Sequence, residues 1–281
     1  MSDAFALRMQ TVLSGPGPLC LGVDPHDGIL HAWGLPVSAS GVLELGMRAI
    51  DAAAGAAGFV KIQVSFFERF GAAGFSALER LLAQSRAAGL VTIADVKRGD
   101  IGSTMGAYAA AWLPAGAPLE ADAITVHPYL GVESLHDTFR LAGEAGKGVF
   151  VLAATSNPEG RALQGAALEG GTVSSAVAHR VAAYASSGGR PDPWSAYGLV
   201  IGATVDLADR GLTGVAALPL PILAPGFGHQ GAAPEDLPRR FGDARHRVIA
   251  NESRSLLAAG PAGLRAAVLD RARKYREILD D

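Results

Sequence analysis

The sequence predicts an α/β protein in which residues 1–281 form a single domain, a parallel (β/α)8 barrel of the TIM type. Short apolar runs recur along the chain, and each is followed by a stretch whose apolar residues have helical spacing. The runs are continuous rather than alternating, which is typical of parallel strands buried on both faces. Eight such runs alternating with helices favour a barrel. The predicted strands are residues 19–24, 58–64, 89–97, 121–127, 148–155, 197–204, 221–225 and 248–251.

The segments between the strands predict helices. Apolar residues recur at helical spacing after Ser40, which is expected to cap the first helix. Two stretches rich in Gly, Pro and Ser, residues 157–169 and 187–194, are predicted loops, and the first could act as a lid because it follows strand five. The other predicted helices are residues 72–88, a segment that follows strand three and ends at 112, and residues 132–145, 173–186, 206–209 and 264–279.

Composition limits the partners and the compartment. The net charge is −3, so the chain has no general basic field, and we expect neither a nucleic-acid nor a membrane partner. No apolar run reaches the length of a membrane span, and the first ten residues do not resemble a signal peptide. The one cysteine, Cys20, lies in an apolar run, which predicts a buried, inert thiol. We therefore expect a cytoplasmic protein.

The third predicted strand ends in charged side chains. Period-2 alternation places Ile93, Asp95 and Lys97 on one face of this strand. An acid and a base at the end of a buried strand are costly to desolvate unless they meet each other or a ligand. Asp100 follows the strand and can complete the group, so that an ammonium between two carboxylates keeps its proton. Such a group can stabilise a developing negative charge and then protonate it.

A structural ion pair is the alternative interpretation of these charges, because ion-pair networks are common at strand ends. Lysine usage weakens that alternative. The chain has four lysines, of which Lys61 and Lys97 lie in apolar, strand-like runs, whereas Lys147 and Lys274 do not. A lysine can release a proton and an arginine cannot, so two lysines in buried strands indicate chemistry.

Polar residues also follow the other predicted strands. In a barrel of this type, the active site lies at the carboxyl ends of the strands. These polar residues are Asp24 at the end of strand one, Lys61 on strand two, His127 at the end of strand four, and Ser156 with Asn157 after strand five. We expect them to surround one cavity together with the charged group of strand three.

The loops after strands seven and eight predict a phosphate site. Gly226, Gly228 and Gly231 would allow backbone N–H groups to approach an anion. The Gln230 amide can donate a hydrogen bond, and the Arg254 guanidinium offers a planar fork to phosphate oxygens. A Gly-x-Gly alone predicts only a turn. The arginine after the next strand favours phosphate binding, for which barrels often use these loops.

The stretch from Asp95 to Thr104 resembles the Asp-x-Lys-x-x-Asp-Ile signature of the orotidine 5'-phosphate decarboxylases, most closely the bacterial subgroup with longer chains (type 2). Sister enzymes share Asp-x-Lys-x-x-Asp, so this signature alone does not identify the family, and the rest of the chain must be compared as well. Further similar segments occur in the family's order: Leu21-Gly22-Val23-Asp24-Pro25, Phe59-Val60-Lys61, Thr125-Val126-His127-Pro128-Tyr129, Ala224-Pro225-Gly226 with Gln230-Gly231, and Ser253-Arg254.

This resemblance implies decarboxylation of orotidine 5'-monophosphate to UMP and CO2, the last step of de novo UMP synthesis, without cofactor or metal. It implies that Lys97 donates a proton to pyrimidine C6 and that Asp95 lies beside the substrate carboxylate and orients Lys97. It also implies a homodimer in which Asp100, Ile101 and Thr104 enter the site of the other subunit.

The resemblance further assigns the substrate-binding residues. Asp24 and Lys61 would hold the ribose hydroxyls, and Ser156 would contact the pyrimidine edge. Gln230 and Arg254 would hold the phosphate, together with the glycine loop that begins after strand seven.

Two other functions remain open at this stage. Sister phosphosugar enzymes, such as keto-gulonate-phosphate decarboxylase or hexulose-phosphate synthase, need Mg2+ and an acidic ligand near the end of strand two, where this chain has Lys61. A non-catalytic nucleotide-phosphate binder would bind UMP without turnover, which the intact Asp95, Lys97 and Asp100 oppose. For His127, a structural role at a strand end or subunit interface is favoured over catalysis.

Overall fold

The computed structural model describes residues 4–186 and 194–280 of the chain. Eight parallel strands close into a barrel in sequence order, and β1 pairs with both β2 and β8. The predicted (β/α)8 barrel is therefore confirmed. The barrel strands are β1 Leu19–Val23, β2 Phe59–Gln63, β3 Val91–Arg98, β4 Ala123–Val126, β5 Gly148–Ala154, β6 Tyr197–Ile201, β7 Ile222–Pro225 and β8 Val248–Glu252.

Helices cover the outside of the barrel, and short helices lie in the loops between them. The helices are α1 Ala4–Ser14, α2 Asp27–Ala32, α3 Ala39–Ala53, α4 Ser65–Glu68, α5 Gly71–Ala87, α6 Gly102–Trp112, α7 His136–Ala145, α8 Gly160–Gln164, α9 Val173–Ser186, α10 Asp236–Phe241, α11 Arg254–Leu257 and α12 Gly260–Asp280. Short 3-10 helices span Val132–Leu135, Val215–Ala217 and Gly242–Arg247. None of the described helices has the length and apolar character needed to cross a membrane.

Two predictions about helix positions are wrong. Ser38, not Ser40, caps α3: its backbone is extended and its hydroxyl accepts the Gly41 N–H at 3.3 Å, while Ser40 lies inside the first turn. Residues 206–209 form turns rather than a helix. There the Asp206 side chain accepts nearby backbone N–H groups, a local pattern that competes with helix formation.

The structure tests only the first of the two predicted loops in full. Residues 157–169 are not a simple loop, because they contain α8 and the first strand of a small antiparallel hairpin, Ala167–Leu168 with Gly171–Thr172. The second predicted loop, residues 187–194, lies outside the described residues except for Trp194.

The barrel interior is filled with apolar side chains and is closed at the amino ends of its strands. Phe59, Ile93 and Phe150 point into the barrel, and Phe5 of α1 packs edge-on against Phe150 with ring centroids 6.3 Å apart. Met9 of the same helix is also fully buried there. With the amino end packed in this way, the space available to a ligand lies at the carboxyl ends of the strands.

Candidate active site

A cavity of about 300 Å³ lies at the carboxyl ends of the barrel strands. It brings together most of the residues that the sequence predicted for the site, contributed by six different strands or the loops that follow them. Those residues are Asp24, Lys61, Asp95, Lys97, Ser156, Pro225, Gly226, Gln230 and Arg254.

Alternating acids and lysines form a row along one wall of the cavity. The buried Lys61 Nζ lies 3.6 Å from Asp24 Oδ1 and 3.0 Å from Asp95 Oδ2. The other oxygen of the Asp95 carboxylate, Oδ1, lies 2.6 Å from Lys97 Nζ. The Asp95 carboxylate thus contacts two ammonium groups. Its side chain is 9% exposed and that of Lys97 is 44% exposed, so the row runs from the buried wall to the open cavity.

The two buried members of this row stabilise each other's charged forms. Burial alone would raise the pKa of the Asp95 carboxyl, but the ammonium groups of Lys61 and Lys97 hold that pKa below its usual range. Burial alone would lower the pKa of Lys61, but the carboxylates of Asp24 and Asp95 hold it above its usual range. The wall therefore carries fixed charges at neutral pH.

Lys97 reaches the cavity through an irregular backbone. Its φ of +48° is in the left-handed region, which side chains other than Gly, Asn and Asp seldom adopt. The pairing of β3 with β4 shifts register between Ala94 and Arg98, so Lys97 lies in a bulge. Strand alternation placed Lys97 and Asp95 on one face, where each would meet the other or a ligand. They contact each other, but alternation did not predict the bulge at Lys97.

Asp100 does not complete this group within its own chain, and that expectation is wrong. Its carboxylate accepts the N–H of Ile101 at 2.8 Å, and no cation among the described residues pairs with it. The ammonium between two carboxylates is Lys61 instead. β3 ends at Arg98, so Asp100 lies beyond the strand that carries Lys97.

Ile101 and Thr104 likewise lie outside the cavity of their own chain. Both are exposed near the amino end of α6, and Ile101 is 62% exposed. The cavity walls therefore include none of the three residues expected to act across an interface.

The loop after β7 forms the opposite end of the cavity. Gly226 and Gly228 have φ values of +116° and +73°, which explains why glycine occupies both positions. Gly226 and Pro225 line the cavity, whereas Gly228 and Gly231 shape the turn, in which the Gly231 N–H donates to the Gly228 carbonyl at 2.9 Å. Pro225 and Gly226 therefore form part of the cavity wall, and Gly228 and Gly231 allow the loop to turn.

Three polar side chains surround this end of the cavity. The Ser156 hydroxyl donates to Gln230 Oε1 at 3.0 Å, which connects the loops after β5 and β7. Arg254 begins α11, and the described residues provide no carboxylate to pair with its guanidinium. An arginine that faces a cavity without a counter-ion is suited to an anionic ligand.

Sequence analysis missed two polar residues in the first wall. Gln63 Oε1 accepts from Lys61 Nζ at 3.3 Å and from Lys97 Nζ at 3.4 Å. The Thr125 hydroxyl, on β4, donates to Asp95 Oδ1 at 2.7 Å. Both are polar residues within apolar strands, which is the signal that singled out Lys61.

Another group that was not predicted from the sequence lies behind the glycine loop that follows β7. The fully buried Glu252 carboxylate accepts from Arg271 at 2.6 Å, from the Tyr275 hydroxyl at 2.9 Å and from Ser255 at 2.9 Å. A Cβ atom at Gly228 would lie 2.8 Å from Glu252 Oε2, so the loop backbone packs directly on this cluster. The end of β8 and the final helix thereby support the loop.

Cys20 and His127 lie outside the cavity. Cys20 is fully buried as predicted, and burial raises the pKa of its thiol to about 12, which disfavours a nucleophilic thiolate. The His127 ring packs on the backbone of Gly99, where a Cβ atom would come within 2.4 Å of the ring. Within residues 4–186 and 194–280, no three or more His, Cys, Asp or Glu side chains form a group that could hold a metal ion.

Fold and site together define a (β/α)8-barrel protein with a row of acids and lysines at one end of its cavity and a glycine loop at the other. The model of the orotidine 5'-phosphate decarboxylase / HUMPS family matches residues 17–267. This chain belongs to that family, as its resemblance predicted.

Curated relatives have similar sequences over nearly their whole length. An orotidine 5'-phosphate decarboxylase of Corynebacterium efficiens is 43% identical over 280 residues, covering 98% of each chain. One from Salinispora tropica is 45% identical over 262 residues, covering 92% of this chain and 91% of the relative.

Solved structures agree with this assignment. A crystal structure from Streptomyces avermitilis, assigned as an orotidine 5'-phosphate decarboxylase, has a TM-score of 0.91 and 42% identity and covers 99% of this chain and 96% of its own. The OMP decarboxylase of Leishmania donovani has a TM-score of 0.78 and 30% identity, covering 98% of this chain and 99% of its own.

The lowered pKa of Asp95 predicts a contribution to acid stability. An unfolded Asp titrates near pH 3.9, so in acid the unfolded chain takes up this proton before the native protein does. The ionised carboxylate therefore stabilises the native state above about pH 4, and this stabilisation is lost as the pH falls towards the native pKa. Between about pH 5 and pH 3, the free energy of unfolding should fall by about 1 kcal/mol more in the wild type than in Asp95→Asn. Urea unfolding measures the free energy of unfolding of both proteins at each pH. An equal decrease in the two proteins would contradict the lowered pKa of Asp95.

Proposed function

We propose that this protein decarboxylates orotidine 5'-monophosphate to UMP and CO2, the final step of UMP synthesis, with Lys97 as the proton donor. The observation that carries this proposal is the contact of 2.6 Å between Lys97 Nζ and the ionised Asp95 at the open end of the charged row. The family and the names of the curated relatives support the reaction. The geometry supports the role of the lysine.

The proposed reaction breaks the bond between C6 of the pyrimidine and its carboxylate carbon. The electron pair stays on C6 and CO2 leaves, so a carbanion develops in the ring plane. The Lys97 ammonium stabilises this charge, then transfers a proton to C6 and regains one from solvent, to which its side chain is open. The Asp95 carboxylate, 2.6 Å from Lys97 Nζ, holds and directs this ammonium.

The rest of the cavity suits a nucleotide. Asp24 Oδ1 is buried and, among the described residues, has no hydrogen-bond donor, so a ribose hydroxyl can supply one. Lys61, 3.6 Å away, would contact the same ribose. Ser156 would contact the pyrimidine edge, and Gln230 and Arg254 would hold the phosphate with the loop at Pro225, Gly226, Gly228 and Gly231. Binding energy from this remote phosphate can assist orientation at C6.

Lys61 also distinguishes this function from that of the metal-dependent sister enzymes. Those enzymes need an acidic ligand for Mg2+ near the end of strand two, whereas here β2 carries Lys61, which lines the cavity. A positive charge there opposes a divalent cation, which supports a reaction without metal or cofactor. We place this reaction in the cytoplasm, because the chain has a single, buried cysteine and no disulfide.

We further propose that two copies of the chain associate through the face that follows β3 and β4. Asp100, Ile101 and Thr104 are available there because they take no part in the cavity of their own chain. Tyr129 and Leu130, in the loop after β4, are exposed apolar residues that a second copy would cover. In such a dimer, Asp100 approaches Lys97 of the other subunit.

Replacement of Lys97 tests the function directly. Loss of a general acid lowers the reaction rate by about 10²–10⁴-fold. Lys97→Ala also loses the charge that stabilises the carbanion, so its kcat should fall at least about 10³-fold. UMP should still bind when measured by calorimetry, because it lacks the reacting carboxylate. Lys274→Ala is the control, since Lys274 is exposed on α12 and pairs with Glu235. Wild-type turnover by Lys97→Ala would rule out its role.

The shared site predicts complementation between two inactive variants. Lys97→Ala and Asp100→Ala should each be nearly inactive as homodimers. In a mixed dimer, one site carries both changes and the other carries neither. Refolding equal amounts together should restore about one quarter of wild-type activity, because half of the randomly paired dimers are mixed and each has one intact site. If mass spectrometry shows mixed dimers and activity stays at the level of the separate variants, Asp100 serves its own subunit.

A further inference from the structure

Thr125 is a buried threonine of β4 that contacts both residues of the proposed proton-transfer pair. Its hydroxyl oxygen lies 3.0 Å from the backbone nitrogen of Lys97 and 2.7 Å from Asp95 Oδ1. The residue is 1% exposed, so water does not compete for these contacts. It lies in the wall behind the row of charges and does not line the cavity.

The chemistry of these groups fixes the direction of both hydrogen bonds. A backbone N–H can only donate, so the Thr125 oxygen accepts from Lys97. The single hydroxyl proton is then left for Asp95 Oδ1, which accepts it as a carboxylate. The same carboxylate oxygen receives the Lys97 ammonium at 2.6 Å. Lys97 is therefore connected to Asp95 Oδ1 in two ways: its ammonium contacts this oxygen directly, and its backbone N–H is linked to it through the Thr125 hydroxyl.

Thr125 also compensates for the irregular backbone at Lys97. The bulge in β3 removes Lys97 from regular pairing with β4, and its φ of +48° is unfavourable for a lysine. A partly buried N–H without an acceptor would add to this cost. The Thr125 hydroxyl provides the acceptor and so holds the conformation that directs the ammonium into the cavity.

We infer that Thr125 is a positioning residue that fixes the Lys97 ammonium and the Asp95 carboxylate in the geometry for protonation of C6. This inference rests on the proposed function, since it gives Lys97 the role of proton donor. Thr125 does not touch the substrate. Its loss should therefore reduce the rate of the chemical step and leave substrate capture nearly unchanged.

The test compares Thr125→Val, which keeps the shape and removes the hydroxyl, with Thr125→Ser, which keeps the hydroxyl. A lost hydrogen bond to a charged group corresponds to about a 10–100-fold lower kcat for Thr125→Val. We expect KM for orotidine 5'-monophosphate and the Kd of UMP to stay within about threefold, and Thr125→Ser to recover kcat to within about threefold.

Thr92→Val is the matched control. Thr92 is also a buried strand threonine, and its hydroxyl is 2.6 Å from that of Ser85, outside the cavity. This variant should lose stability without losing kcat, and thermal unfolding of all variants separates stability from turnover. Should Thr125→Val fail to fold, Thr125→Ala provides the same comparison.

Several outcomes would overturn the inference. These are wild-type kcat in Thr125→Val, a loss confined to KM, a failure of Thr125→Ser to recover turnover, or a failure of both hydroxyl-free variants to fold. If wild type and Thr92→Val do not convert orotidine 5'-monophosphate at all, the proposed function itself is wrong.

Discussion

The contact between the buried Asp95 carboxylate and two ammonium groups is the interaction on which the site depends. Lys61 compensates this carboxylate from the buried side and Lys97 from the cavity side. An isolated carboxylate at this depth would favour its neutral form, and an isolated Lys61 would favour its neutral amine. Each buried charge is therefore stabilised by its neighbours, and removing Lys61 would leave the buried Asp95 with only the half-exposed Lys97 to compensate it.

The barrel supplies the geometry for this row. Parallel pairing aligns Gln63 of β2 with Asp95 of β3, and the strand ends meet around one opening. The opposite end of the cavity is supported by Glu252, which joins β8 to the final helix behind the glycine loop. The charged row is thus positioned by the strands of the barrel, whereas the opposite end of the cavity is formed by loops, of which the glycine loop packs on the Glu252 cluster.

The sequence was sufficient to predict the eight strands, because strands buried on both faces leave continuous apolar runs. It also predicted that Lys97 and Asp95 would meet each other or a ligand, since charges in such runs must be compensated. It could not place Ser38 ahead of Ser40 as the helix cap, because neighbouring serines offer the same chemistry. Thr125 was missed because its role arises from a bulge in the neighbouring strand, and strand alternation does not reveal bulges.

We propose that this charged row decarboxylates orotidine 5'-monophosphate without a metal ion. The most direct measurement incubates the purified protein with this nucleotide and follows its loss spectrophotometrically, together with release of UMP and CO2, with and without a chelator. We expect equal amounts of UMP and CO2 and the same rate in both conditions. No turnover, or turnover that the chelator abolishes and Mg2+ restores, would contradict it.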